Sequence, residues 1–208
     1  MTIRSPKLCR WILLSAVLGG AVGRELQAVE DRVEVAAVQF ATARPPDGGD
    51  GAWLEVAVEL EARPAAERTG RVTGPLRVEA LLAHESPATA GEPRRWMFYR
   101  SAAELVGLPA GRTQVRFYLP PVVLQRDRLS GAPRFWEIVL AGAELAPPVS
   151  ERRLAPALAD AAASRSFREK IATEAPANDG ILLPQYLTPF ATDARRAAPA
   201  FVRKEGWR

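Results

Sequence analysis

The chain has 208 residues, 48% hydrophobic and 25% charged, with a formal net charge of +4, one histidine and one cysteine. That balance is enough for a hydrophobic core, and it excludes a disulfide-stapled scaffold and a zinc site built from His and Cys ligands. Much of the positive surplus lies before residue 29, where Arg4, Lys7, Arg10 and Arg24 are opposed by Glu25 alone, so it gives no ground for a nucleic-acid partner.

In chain order, residues 1–28 have the layout of a signal peptide: a basic start, an apolar run from Trp11 to Val22, and small residues before polar sequence. The run is shorter than the ~20 residues a membrane-crossing helix needs, and no later run is longer, so no transmembrane span is expected in the mature chain. Cleavage after Gly23 or Ala28 removes Cys9, which precedes the apolar run and is therefore misplaced for a lipid anchor. A periplasmic, outer-membrane-associated or secreted location follows.

Residues 29–148 are dominated by period-two alternation, which places successive side chains on opposite faces of a strand. In WLEVAVELEA the inward set is Leu54, Val56, Val58 and Leu60; in LRVEALLA it is Leu76, Val78, Ala80 and Leu82. In TQVRFYL it is Val115, Phe117 and Leu119, and in RFWEIVLA it is Trp136, Ile138 and Leu140. In RVEVAAVQF the phase slips near Ala36 and Ala37, which predicts a bulge or a strand switch in an edge strand. Gly- and Pro-rich turns separate the runs. The fold class is all-β, a single immunoglobulin-like or fibronectin-III-like antiparallel β-sandwich. Ser101 followed by Glu104, with Gly107 as a stop, predicts one helical turn crossing between the sheets.

Residues 149–208 form a C-terminal extension. Leu154 and Leu158, and Phe167 and Ile171, are spaced by four among alanines, which predicts a helix over about 156–172 with Pro156 in its first turn. Residues 173–180 read as linker and 191–208 as a flexible polar tail. Between them lies ILLPQYLTPF, residues 181–190, too apolar for a free tail and broken by Pro184 and Pro189 against a helix. It reads as extended chain with three outcomes: it folds back on its own sheet edge, docks on a partner through Ile181, Leu182, Leu183, Tyr186, Leu187 and Phe190, or stays disordered.

Catalytic signals are thin, and no catalytic residue, cofactor or metal site is assigned. His84 follows a strand at a turn and reads as a surface residue. DGGDG at residues 47–51 lacks the ligand spacing of a calcium loop and fits a hairpin whose glycines take positive φ. Glu55, Glu59 and Glu61 alternate along one strand face and are expected to pair with arginines such as Arg77 and Arg116 across strands. Trp53, Tyr99 and Tyr118 are the candidate glycan-stacking rings of an alternative reading, a carbohydrate-binding module.

With these pieces in place, the chain resembles a family of exported immunoglobulin-like proteins of Verrucomicrobia, encoded beside type IV pilus assembly genes. The resemblance rests on WLEVAVELEA, RRWMFYRSAAELVGLPAG, RFYLPPVVLQRDRLSGAPRFWEIVLAG and NDGILLPQYLTPF. It implies a non-enzymatic protein of the cell envelope linked to pili, working through protein partners, and it carries over no site residues.

Overall fold

The computed structural model describes residues 30–202, apart from 50, 68, 89–92, 144 and 147–152. The signal-peptide reading and the last six residues fall outside that range.

Two antiparallel sheets face each other. In the first, β1 (Arg32–Ala43), β2 (Trp53–Arg63) and β5 (Gly111–Leu119) are neighbours in that order, and a two-residue strand, β7 (Leu183–Pro184), extends β5. In the second, β3 (Leu76–Ser86) lies between β4 (Arg95–Leu105) and β6 (Phe135–Ala141). Strands one, two and five on one side and three, four and six on the other give the sheet-switching connectivity of an immunoglobulin-like sandwich.

The inward faces are the ones alternation picks out. Val56, Val58, Leu60, Val78, Leu82, Phe117 and Ile138 have no exposed surface and pack as one core. The phase slip in β1 is a register shift: Val35 pairs with Leu60 and Ala37 with Glu59, leaving Ala36 as the extra residue of a bulge. Gly48 and Gly51 take φ of 77° and 89° in the β1–β2 loop, a conformation costly for any side chain with a Cβ.

Of the predicted turn at Ser101–Gly107, Ser101 to Leu105 are strand. Ser101 to Leu105 pair with Ala80 back to Leu76, burying Ala103 and Leu105, and that ladder outweighs the local capping pattern. Gly107 stops no helix; a Cβ there would sit 2.5 Å from the Thr73 carbonyl oxygen, so glycine allows the two loops to approach. One short helix escaped the sequence reading: α1 (Pro121–Arg126), begun by proline at its first position where no N–H is needed.

The C-terminal helix, α2, runs Ala161–Glu174, later than expected, with Pro156–Leu158 forming a separate 3-10 turn ahead of it. Its start is fixed by Asp160, whose Oδ1 accepts from the N–H groups of Ala162 and Ala163 at 3.0 and 2.9 Å. Phe167 and Ile171 pack with Leu158 on Leu81, Ala83 and Phe98, the outward face of the second sheet, making a second core. Burying each of these two side chains contributes on the order of 1.5–3 kcal/mol.

Nor is the chain after α2 a linker. Ala175–Asn178 is a 3-10 turn, Asn178 Nδ2 donates to the Phe98 carbonyl at 2.9 Å, and Asp179 takes a two-bonded contact from Arg100 at 2.8 and 2.9 Å.

Candidate functional site

The C-terminal extension binds the sandwich through three surfaces. After crossing the second sheet on α2, it drops Leu182 into the main core, pairs Leu183 with Tyr118 and Pro184 with Phe117 on the edge of β5, and then covers the outward face of the first sheet. Pro184 has no N–H to offer, so the pairing stops after two residues.

Beyond it, the chain turns twice. Thr188 Oγ1 donates to the Gln185 carbonyl at 2.7 Å and accepts from the Phe190 N–H at 3.2 Å. Gln185 is buried and its Nε2 donates to the carbonyls of Phe190 and Arg196 at 3.1 and 2.7 Å, tying both ends of the loop together.

Those turns lay the Phe190 ring flat on Tyr118, with centroids 4.3 Å apart and planes 10° from parallel, while Trp53 meets Phe190 edge-on at 5.8 Å. Arg196 caps the stack with its guanidinium carbon 5.1 Å from the Phe190 ring centre. Arg196 Nε donates to Glu55 Oε2 at 2.9 Å, Arg116 Nε lies 3.3 Å from Glu55 Oε1, and Arg116 Nη1 donates to the Ala197 carbonyl at 3.0 Å. Asp193 bonds Arg196 and Arg195, the latter at 3.0 Å, and the Arg195 bonds lead in holding its carboxyl down to about 2. The chain then returns to the other sheet, where Phe201 bridges to Leu105 and its ring lies 5.1 Å from that of Tyr186.

A second polar anchor sits on the opposite face. Glu137, fully buried on β6, accepts from Arg153 Nη1 and from Arg168 Nε of α2, each at 2.8 Å. A third lies at one end of the core, where Tyr99 Oη donates to Asp127 Oδ2 at 2.6 Å. Burial pushes the Tyr99 and Tyr118 hydroxyls well above the ordinary phenol value.

Of the six candidate docking residues, Leu182 and Phe190 are buried within the chain's own fold, and Ile181, Leu183 and Tyr186 are partly covered by it. Leu187 alone is largely exposed, at 50%. The tail reading for 191–208 is corrected over its described part, since Asp193, Arg196 and Phe201 are packed or paired.

The glycan-stacking set does not assemble. Tyr99 lies inside the sandwich and Tyr118 beneath Phe190, both fully buried, and only Trp53 keeps partial exposure. A ring under another ring has no face for a sugar.

His84 is also not a surface residue. It is 2% exposed, lies edge-on to Tyr99 at 6.2 Å, and its Nε2 has no partner among the described residues. Burial depresses its pKa to about 4. The signal was present in the sequence, because His84 shares the phase of Leu76, Val78, Ala80 and Leu82.

Glu55 and Arg116 do pair across β2 and β5 as expected, whereas Arg77 meets Glu79 and Glu104 on the other sheet. Glu137, Asp193 and Arg196 were missed. Among the described residues, no group of three or more His, Cys, Asp and Glu side chains is placed to hold a metal, and no helix is long and apolar enough to cross a membrane.

The geometry defines an all-β sandwich of two antiparallel sheets with a C-terminal helix. It is similar to a crystal structure of a protein from Akkermansia muciniphila, a verrucomicrobial bacterium, with a TM-score of 0.63 and 15% identity, covering 84% of this chain and 95% of that one. Because residues 1–148 make up less than three quarters of the chain, the matched share takes in part of the extension as well. No protein-family model and no curated protein matches the chain.

Proposed function

We propose that this is an exported, non-enzymatic interaction protein of the cell envelope, acting as a scaffold or accessory subunit of a type IV pilus or secretion assembly. The observation that carries the reading is how the buried carboxylates are used. Glu55 and Glu137 each hold an arginine of the C-terminal extension, Arg196 and Arg168, so side chains equipped for acid–base work serve instead to lock one rigid body. A sandwich braced on both outer faces offers edges and loops for contact while holding its shape, which lowers the ordering cost of binding. The export layout of residues 1–28 and the resemblance to pilus-linked verrucomicrobial proteins supply the compartment and the assembly.

The test is in-cell cross-linking in the native bacterium, followed by envelope fractionation and mass spectrometry of the species containing this chain. Recovery of pilus or secretion components from the envelope fraction is expected. Recovery of the chain in the cytoplasm, or in the envelope with no cross-linked protein of such an assembly, would contradict the reading.

A further inference from the structure

Three of the four outer sheet edges are met by the chain itself. Leu183 and Pro184 lie on β5, Phe201 bridges to Leu105 at the end of β4, and Leu154 bridges to Glu137 on β6. At the fourth edge, β1, Leu145 bridges to Asp31, ahead of the strand, and Val35 and Ala36 have partners as well. From Ala37 to Ala43, among the described residues, β1 pairs with β2 alone.

That stretch, AVQFATA, contains no charge and no proline. Exposed edges are ordinarily guarded by one or the other, because an unpaired row of backbone N–H and C=O groups is a template for another strand. On β4, by contrast, Arg95, Arg100 and Glu104 are present.

The side chains of the unguarded edge are also incompletely covered. Val38 and Phe40 point to the same side as their fully buried partners on β2, Val58 and Val56, yet remain only partly buried themselves. Phe40 leans on Trp136 at 5.8 Å, and beside them Ala37, Val38, Trp136, Leu154 and Pro156 line an open groove of about 630 Å³.

We propose that this edge pairs with the same edge of a second copy of the chain, antiparallel, about a two-fold axis at Phe40. The segment is complementary to itself in that register: Phe40 meets Phe40, Val38 meets Thr42, Gln39 meets Ala41, and Ala37 meets Ala43. An aromatic pair and a β-branched pair lie on the inward side, a long side chain faces a small one on the outward side, and no like charges meet. The contact is isologous and closes after two copies, joining the first sheets of both sandwiches into one. It goes beyond the envelope reading and does not depend on it.

Two measurements on the full chain carrying Cys9→Ser test this. Single variants Gln39→Cys and Ala41→Cys alter exposed, outward positions. In the proposed register, residue 39 of one copy faces residue 41 of the other. Oxidising a mixture of the two variants is expected to give several-fold more covalent dimer than either variant alone.

Light scattering at about 100 μM, where a micromolar homodimer is largely formed, is expected to give twice the chain mass for the unaltered edge. The mass of one chain is expected for Gln39→Lys/Ala41→Lys, with an unchanged circular dichroism spectrum. A single-chain mass for the unaltered protein, or cross-linking no greater in the mixture than in either variant alone, would overturn the proposal; the second result also rejects a dimer built on another surface or register.

Discussion

Arg196 reaches back across 141 residues of sequence to hold Glu55, its Nε 2.9 Å from Oε2, while its guanidinium also lies over the Phe190 ring. One side chain thus joins a turn of the C-terminal extension to the second strand. Both partners are mostly shielded from water, with side-chain exposures of 22% and 11%. Removing one of them leaves the other as an underpaired charge in a place where solvation is poor. Arg196→Ala is expected to cost about 2–3 kcal/mol in urea unfolding, and Glu55→Gln a comparable amount. The double variant should cost clearly less than the sum, because the two share one interaction.

Phe190→Ala removes a fully buried ring stacked on Tyr118 and leaves a cavity over Tyr118 beside Trp53. The expected loss is about 3–4 kcal/mol. Quenching of Trp53 fluorescence by iodide should rise with it, since Phe190 covers one side of that indole.

On the other face, Glu137→Gln takes the negative charge from between Arg153 and Arg168. The two guanidiniums then face a neutral amide, and α2 loses its polar anchor to β6 while keeping Phe167 and Ile171. Limited proteolysis within α2 is expected to accelerate several-fold, with the cleavage pattern of the strands unchanged. Equal acceleration throughout the chain would show that α2 and the sandwich unfold as one unit.

His84 gives a pH dependence whose sign is fixed by burial. Its pKa is depressed from about 6.5 to about 4 in the fold, so between those values the unfolded chain binds the proton and the folded chain does not. Stability therefore falls as pH drops from 6.5 towards 4, by up to roughly 3 kcal/mol from this group. His84→Gln should flatten that part of the profile. The Asp193 carboxyl, held down to about 2, adds a separate loss at lower pH, as it protonates below its unfolded value near 3.8.

The sequence carries the inward half of the sandwich openly and the outward half hardly at all. Alternation identifies Leu54, Val56, Val58 and Leu60, and locates the bulge at Ala36, because both depend on neighbours two residues away. Glu55, Arg116 and Tyr118 alternate outward just as plainly, and the strand pattern marks them for solvent. What buries them is Phe190 and Arg196, and nothing local in β2 or β5 announces a cover that arrives so much later in the chain.

Glu137 is hidden from sequence for the same reason, beneath Arg153 and Arg168. The failed helical turn at Ser101 is a related case, in which a capping pattern worth about 1 kcal/mol was outweighed by a full ladder to β3. His84, by contrast, was legible from its phase. The six docking residues stand out in the sequence for being apolar, and that property is what draws Leu182 and Phe190 into the fold instead of leaving them on display.

Ile181–Phe190 and the turns after it belong to the sandwich. Amide hydrogen exchange across residues 153–202 of the isolated protein measures this most directly. The structure predicts slow exchange at Leu183, Thr188, Phe190, Ala191 and Asp193, approaching the protection of β5, because these amides are paired or lie in bonded turns against a buried face. Exchange at those amides as fast as in an unstructured peptide, with β5 still protected, would contradict it.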